Sequence, residues 1–131
     1  MAFKQRIVEF KISDTPFTQE SEGTANIHFQ KVINSITPLT DGTGMPTSSR
    51  VMPKMSNVEL VNVDKDSMDI FNQLNDAGQN ITVKITIGAE NEDVTYSGTV
   101  KITGEYSFDV KAGRISGFEL VCVDNTGFVE I

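Results

Sequence analysis

The chain has 131 residues, 18 of them acidic and 11 basic, with a formal net charge of −7, no tryptophan and one cysteine. That length suits one domain able to bury its own core, and no apolar run is long enough for a membrane-spanning helix. The single Cys122 excludes an intrachain disulfide and a cysteine-rich metal site, and the acidic total argues against a general attraction to nucleic acid phosphates.

The N-terminal MAFKQRIVEFKI alternates charged and apolar residues and lacks the continuous apolar block of a secretory signal, so the chain is expected to stay in its host's cytoplasm. Residues 3–12 read as a strand with Val8, Phe10 and Ile12 on one face. Residues 13–23 (SDTPFTQESEG) read as a polar connection. Residues 24–36 place Ala25, Ile27, Phe29 and Ile33 at period two, with Asn26, His28, Gln30 and Asn34 on the other face. Residues 37–53 (TPLTDGTGMPTSSRVMP) hold three prolines and show no period, which predicts a long loop. Leu39, Met45, Val51 and Met52 are of little use to a freely solvated loop and point to one that docks on something.

Residues 55–63 (MSNVELVNV) read as the next strand. The following DKDSMDIFNQLNDAG predicts a helix over about residues 66–77, capped by Asp64 or Asp66 and stopped at Gly78. Its apolar stripe is Ile70, Phe71, Leu74 and Ala77. In residues 80–89, Ile81, Val83, Ile85 and Ile87 face one way and Thr82, Lys84 and Thr86 the other, before a turn at Glu90–Asp93. Residues 94–110 alternate throughout. Even positions from Val94 to Val110 are apolar or glycine, and odd positions are polar: Thr95, Ser97, Thr99, Lys101, Thr103, Glu105, Ser107 and Asp109. Gly98 and Gly104 offer bends in what would be an unusually long strand. After a turn at Lys111–Gly113, RISGFELVCV slips phase near Gly117, as a bulge would make it, and the tail from Phe128 can add a short strand.

The candidates for chemistry are weak. His28 has no second histidine and reads as a surface or interface residue. Asp64, Asp66 and Asp69 resemble a calcium loop superficially, but Met68 occupies a ligand position and no glycine follows, so a helix cap explains them better. Glu90, Glu92 and Asp93 read as a solvated hairpin tip. Cys122, in the apolar run FELVCV, reads as a buried inert thiol. The DGTG glycines continue into neither a dinucleotide fingerprint nor a phosphate loop, Asn80-Ile81-Thr82 is a sequon without a secretory signal, and no serine sits in a nucleophile elbow. The residues describe a mostly β structural or binding module that needs no cofactor and performs no catalysis.

The order of elements from Met55 to Val123 resembles the tail tube proteins of contractile-tailed phages and their pyocin-like relatives. A strand runs into a short amphipathic helix with Leu74 close to its end. A strand follows, then Tyr96-Ser97-Gly98 leads into the next strand, and Phe118-Glu119-Leu120 belongs to a final amphipathic strand. The resemblance implies one tail-tube-like domain over residues 1–131, an antiparallel β-sandwich or partial barrel with one flanking helix. Copies, six in such proteins, would close into a ring β-barrel around a channel, and rings would stack into the inner tube of a phage tail or related injection particle. The type VI secretion tube protein shares that architecture.

On this reading Leu39, Met45, Arg50, Val51 and Met52 contact the next subunit or ring, and Thr95, Ser97, Thr99, Lys101, Thr103 and Glu105 face the channel. The partners would be further copies of the chain, the tail sheath and baseplate proteins, and DNA that passes without specific binding, which an acidic or neutral surface would favour. The protein would sit in the virion tail, assembled in the bacterial cytoplasm, without membrane insertion. Two alternatives stay open: another phage or secretion-particle component, and a non-catalytic β-barrel that binds a ligand.

Overall fold

A computed structural model describes the backbone of residues 3–13, 15–17, 24–29 and 32–131, and the side chains of these except residues 3–6, 33, 49, 50 and 77. Most of the polar connection expected over 13–23, and the side chains of Gln30, Ile33, Arg50 and Ala77, lie outside the described residues. The protein is mostly β with one helix. The strands are β1 (Phe3–Ile12), β2 (Thr15–Phe17), β3 (Thr24–His28), β4 (Val32–Pro38), β5 (Gly44–Arg50), β6 (Lys54–Glu59), β7 (Ile81–Ala89), β8 (Val94–Thr103), β9 (Ser107–Asp109), β10 (Arg114–Ser116), β11 (Glu119–Cys122) and β12 (Val129–Glu130), and α1 spans Lys65–Ala77. One antiparallel eight-stranded sheet runs β2-β1-β7-β8-β11-β6-β3, with β12 beside β8, and two separate two-stranded ribbons are β4-β5 and β9-β10. The sheet has two ends, β2 and β3, and does not close into a barrel.

Strands from both ends of the sheet feed one core. Phe10, Ile12 and Phe17 come from one end, Met55 and Val58 from the other, and Val83, Ile85, Val100 and Leu120 from the middle. Each such side chain contributes about 1.5–3 kcal/mol by leaving water. The helix supplies Phe71, fully buried, with its ring edge-on to Tyr106 (4.8 Å) and to Phe118 (4.9 Å). The Asp64 carboxylate caps the helix by accepting from the Ser67 N–H at 2.7 Å, and that bond holds its carboxyl below the usual range. Gly78 ends the helix at φ 59°, in the left-handed region that glycine enters without strain. The helical stripe is rotated from the expected one: Ile70 is exposed, while Met68 joins Phe71 and Leu74 on the core side.

Three departures from simple alternation have local causes. In β1 the register against β7 shifts between Ile7 (opposite Ile87) and Glu9 (opposite Thr86), leaving Val8 as an extra residue. The phase therefore inverts: Ile7 packs against the core and Val8, expected to face inward with Phe10, is exposed. In β6 the extra residue is Asn57, at φ 53°, and its carbonyl accepts the Thr24 hydroxyl at 2.7 Å. This is why Met55 and Val58, three apart, are both buried.

The third departure divides the long strand expected over 94–110. Gly104 (φ 84°) and Gly117 (φ 94°) turn the chain where two backbones meet; a Cβ at Gly117 would lie 2.8 Å from the Glu105 carbonyl oxygen. Residues beyond Gly104 leave the sheet and pair with β10, so Phe108 and Val110 are exposed although they continue the even phase. The connection after β1 also differs from expectation, since β2 adds an edge strand and buries Phe17 against Phe10.

Candidate functional site

Two surfaces carry the residues singled out from the sequence. The first is the β4-β5 ribbon, in place of the predicted unstructured loop. Seven residue pairs zip it together, from Val32 opposite Arg50 to Pro38 opposite Gly44. At the tip the Leu39 N–H donates to the Thr43 carbonyl at 2.8 Å, and the Gly42 N–H to the Leu39 carbonyl at 3.2 Å, with Gly42 at φ 88°. Asp41 locks the turn by accepting from the Thr43 hydroxyl at 2.6 Å and the Thr43 N–H at 2.9 Å, which lowers its carboxyl below the ordinary range. Gly44 is needed because a Cβ there would collide with the Ile36 side chain.

Ribbon strands pair with each other and, among the described residues, with no strand of the main sheet. Neither face is buried, so no apolar alternation was available to reveal it. Ile36 is 72% exposed, and Leu39, Met45, Val51 and Met52 are exposed as well. Between residues 32 and 52 the only charged residues are Asp41 and Arg50, in a chain that is 22% charged. Leu39 and Met45 are brought to the tip and Val51 and Met52 to the base; Arg50 closes the ribbon opposite Val32, its side chain lying outside the described residues.

The second surface is the outer face of the main sheet. Thr95, Ser97, Thr99, Lys101 and Thr103 alternate along β8 away from the core, while Glu105 lies past Gly104 and outside the strand. The register places Thr99 opposite Thr82, Ser97 opposite Lys84 and Thr95 opposite Thr86, and the last two hydroxyls meet at 2.9 Å. One strand further out, Lys84 faces Lys11. On the other side Lys101 faces Val121, Val121 faces Lys54, and Lys54 faces His28. Two lysines of this face are paired with carboxylates, Lys11 with Glu9 at 2.9 Å and Lys54 with Glu119 at 3.1 Å. A shallow hollow of about 270 Å³ lies beside Ser97, Gly98 and Thr99, rimmed by Asp124, Thr126 and Val129.

Sequence reasoning placed Thr82, Lys84 and Thr86 on a polar face and Thr95–Thr103 on another. It did not join them, because alternation gives the phase of each strand but not which strands are neighbours. Lys11 and Lys54 were missed for the same reason.

The remaining candidates for chemistry have simple settings. His28 Nε2 lies 2.7 Å from Ser56 Oγ on the exposed face. Cys122 is buried, and burial, with a smaller push from Asp124, raises its thiol to about 11. Among the described residues no three His, Cys, Asp or Glu side chains converge as a metal site, and no helix is long and apolar enough to cross a membrane. No family model matches the chain, no curated protein matches it, and no solved structure matches it.

Proposed function

We propose that the chain is a structural subunit of the inner tube of a contractile phage tail or related injection particle, assembling with copies of itself into stacked rings around a channel. The observation that carries this reading is the β4-β5 ribbon. It stands apart from the sheet, exposes Ile36, Leu39 and Met45, and is almost free of charge. Exposed apolar side chains on a regular, turn-locked element mark a surface made to be covered. The reading is supported by the order of a helix followed by β7 and β8, the order on which the resemblance to tail tube proteins rests.

In this reading the sheet's ends, β2 and β3, meet neighbouring subunits, which removes two open strand edges. The outer face of β8 turns to the channel, and the ribbon reaches the next subunit or ring. The sheath and baseplate are the remaining partners, and the virion tail is the site of action.

Electron microscopy of purified protein at rising concentration tests the reading directly, with rings or tubes as the expected result. A chain that remains monomeric in sedimentation at every concentration, with and without other tail components, overturns it. Replacing residues 34–48 by a short Gly-Ser linker should leave the circular dichroism spectrum and core melting intact and abolish stacking. Normal tubes from that variant would remove the ribbon from the interface.

A further inference from the structure

The chain's net charge of −7 is not spread evenly. Among the described residues, the strand positions on the outer face of the sheet carry Lys11, Lys54, Lys84 and Lys101 against Glu9, Glu59 and Glu119. All three glutamates are used in ion pairs, with Lys11, Arg114 and Lys54 respectively. Lys84 and Lys101 have no carboxylate within ion-pair distance among the described residues, so this face is net positive on an acidic protein. Lys84 also stands directly opposite Lys11. Like charges facing each other across neighbouring strands cost stability, and no contact described within the chain offsets the repulsion at Lys84.

Lys101 lies four positions along β8 from Ser97, the residue opposite Lys84. At about 3.3 Å per residue the two free lysines are roughly 13–14 Å apart. Thr99 and Thr82, paired across the same two strands, sit between them with hydroxyls that can donate. Two compact cations with a pair of hydroxyl donors between them suit a run of phosphate oxygens, to which lysine and threonine are common donors.

We infer that this face is a contact surface for the phosphodiester backbone of a nucleic acid, made by Lys84 and Lys101 with the Thr82 and Thr99 hydroxyls. The inference rests on the tube reading for the setting in which nucleic acid meets the face, and it adds the residues that would touch the passing phosphates. The contact is weak and indifferent to sequence. Two phosphate contacts lose only about tenfold in affinity between 50 and 200 mM salt, and the acidic remainder of each subunit opposes tight capture. The sum of charges predicts repulsion; their placement confines attraction to one face.

The test is NMR of the soluble full-length chain titrated with a 20-base-pair DNA duplex at 50 mM NaCl, beside a matched titration with poly-L-glutamate. The expected result is shifts in the amide signals of Thr82, Lys84, Thr99 and Lys101, with affinity about tenfold lower at 200 mM NaCl. These shifts should vanish in K84E/K101E, whose substitutions lie on the outer face of the sheet and leave the core signals in place. Shifts elsewhere, no shifts, or shifts that survive K84E/K101E overturn the inference. Equal shifts with poly-L-glutamate also overturn it, by showing a surface for acidic protein, a second copy included. Assembly is scored separately, by electron microscopy and sedimentation with and without other tail components, so a chain that binds the duplex but stays monomeric in every one of those samples refutes the tube reading and leaves the phosphate contact standing.

Discussion

Gly98 lies under the Phe128 ring: a Cβ there would come within 2.7 Å of Cδ1 and 2.9 Å of Cε1. Gly98→Ala must therefore push the C-terminal segment off β8, costing about 1–3 kcal/mol, and a lowered melting temperature in calorimetry is the check. Val100, fully buried beside it, tolerates less. Val100→Asp buries an unpaired charge worth several kcal/mol, comparable to a domain's whole stability of about 5–15 kcal/mol, so the purified variant should show no cooperative unfolding transition. Ile102, on the same face but only half-buried, should cost less when changed to Asp. Cys122 gives a pH signature. Its folded thiol is raised to about 11 from an ordinary value of 9.0, so its contribution to stability is complete below pH 9 and is lost as pH climbs towards 11. Denaturant midpoints measured from pH 8 to 11 should fall over that window in the wild type and more gently in Cys122→Ala. At pH 8 a thiol reagent should react only after unfolding.

The helix and the β7-β8 hairpin were legible in the chain because each has one face on the core and one in water. Burial imposes the period, as Ile81, Val83 and Ile85 show on β7. The ribbon was not legible for the opposite reason: among the described residues no strand or helix packs over either of its faces, so no period is imposed. Bulges at Val8 and Asn57 were also invisible, since an inserted residue preserves composition while reversing the phase. The set expected to face a channel was readable as a strand face up to Thr103, and Glu105 was lost to the Gly104 turn. Turn chemistry makes the ribbon testable as an element. Asp41→Ala removes both bonds from Thr43 to the carboxylate, so amide exchange at Thr43 and Leu39 should quicken while exchange in β7 and β8 stays unchanged.

At the scale of the whole molecule, electrostatics opposes the proposed self-assembly. Copies carrying a formal −7 repel, whereas the ribbon offered for contact has charges only at Asp41 and Arg50. Salt should therefore screen the repulsion without weakening the contact. Raising NaCl from 20 to 300 mM is expected to lower the protein concentration at which particles form, read by light scattering and sedimentation. A rise instead would show that ion pairs hold the copies together.

The pairing of β1 with β7 also sets a timetable for the newborn chain. Ile12 lies opposite Val83 and Phe3 opposite Ala89, so β1 has β2 on one side but its partner on the other side is not complete until residue 89 has left the ribosome. At about 5–20 residues per second, that wait is roughly 4–15 s. Throughout it β1 keeps Phe10 and Ile12 in water, and only β2, which follows within a few residues, can shield them. Pairings this distant in sequence also slow refolding, towards the millisecond-to-second range of non-local β topologies. The hairpin from β1 to β2 thus acts as a temporary cover for a strand whose permanent neighbour has not yet been synthesised.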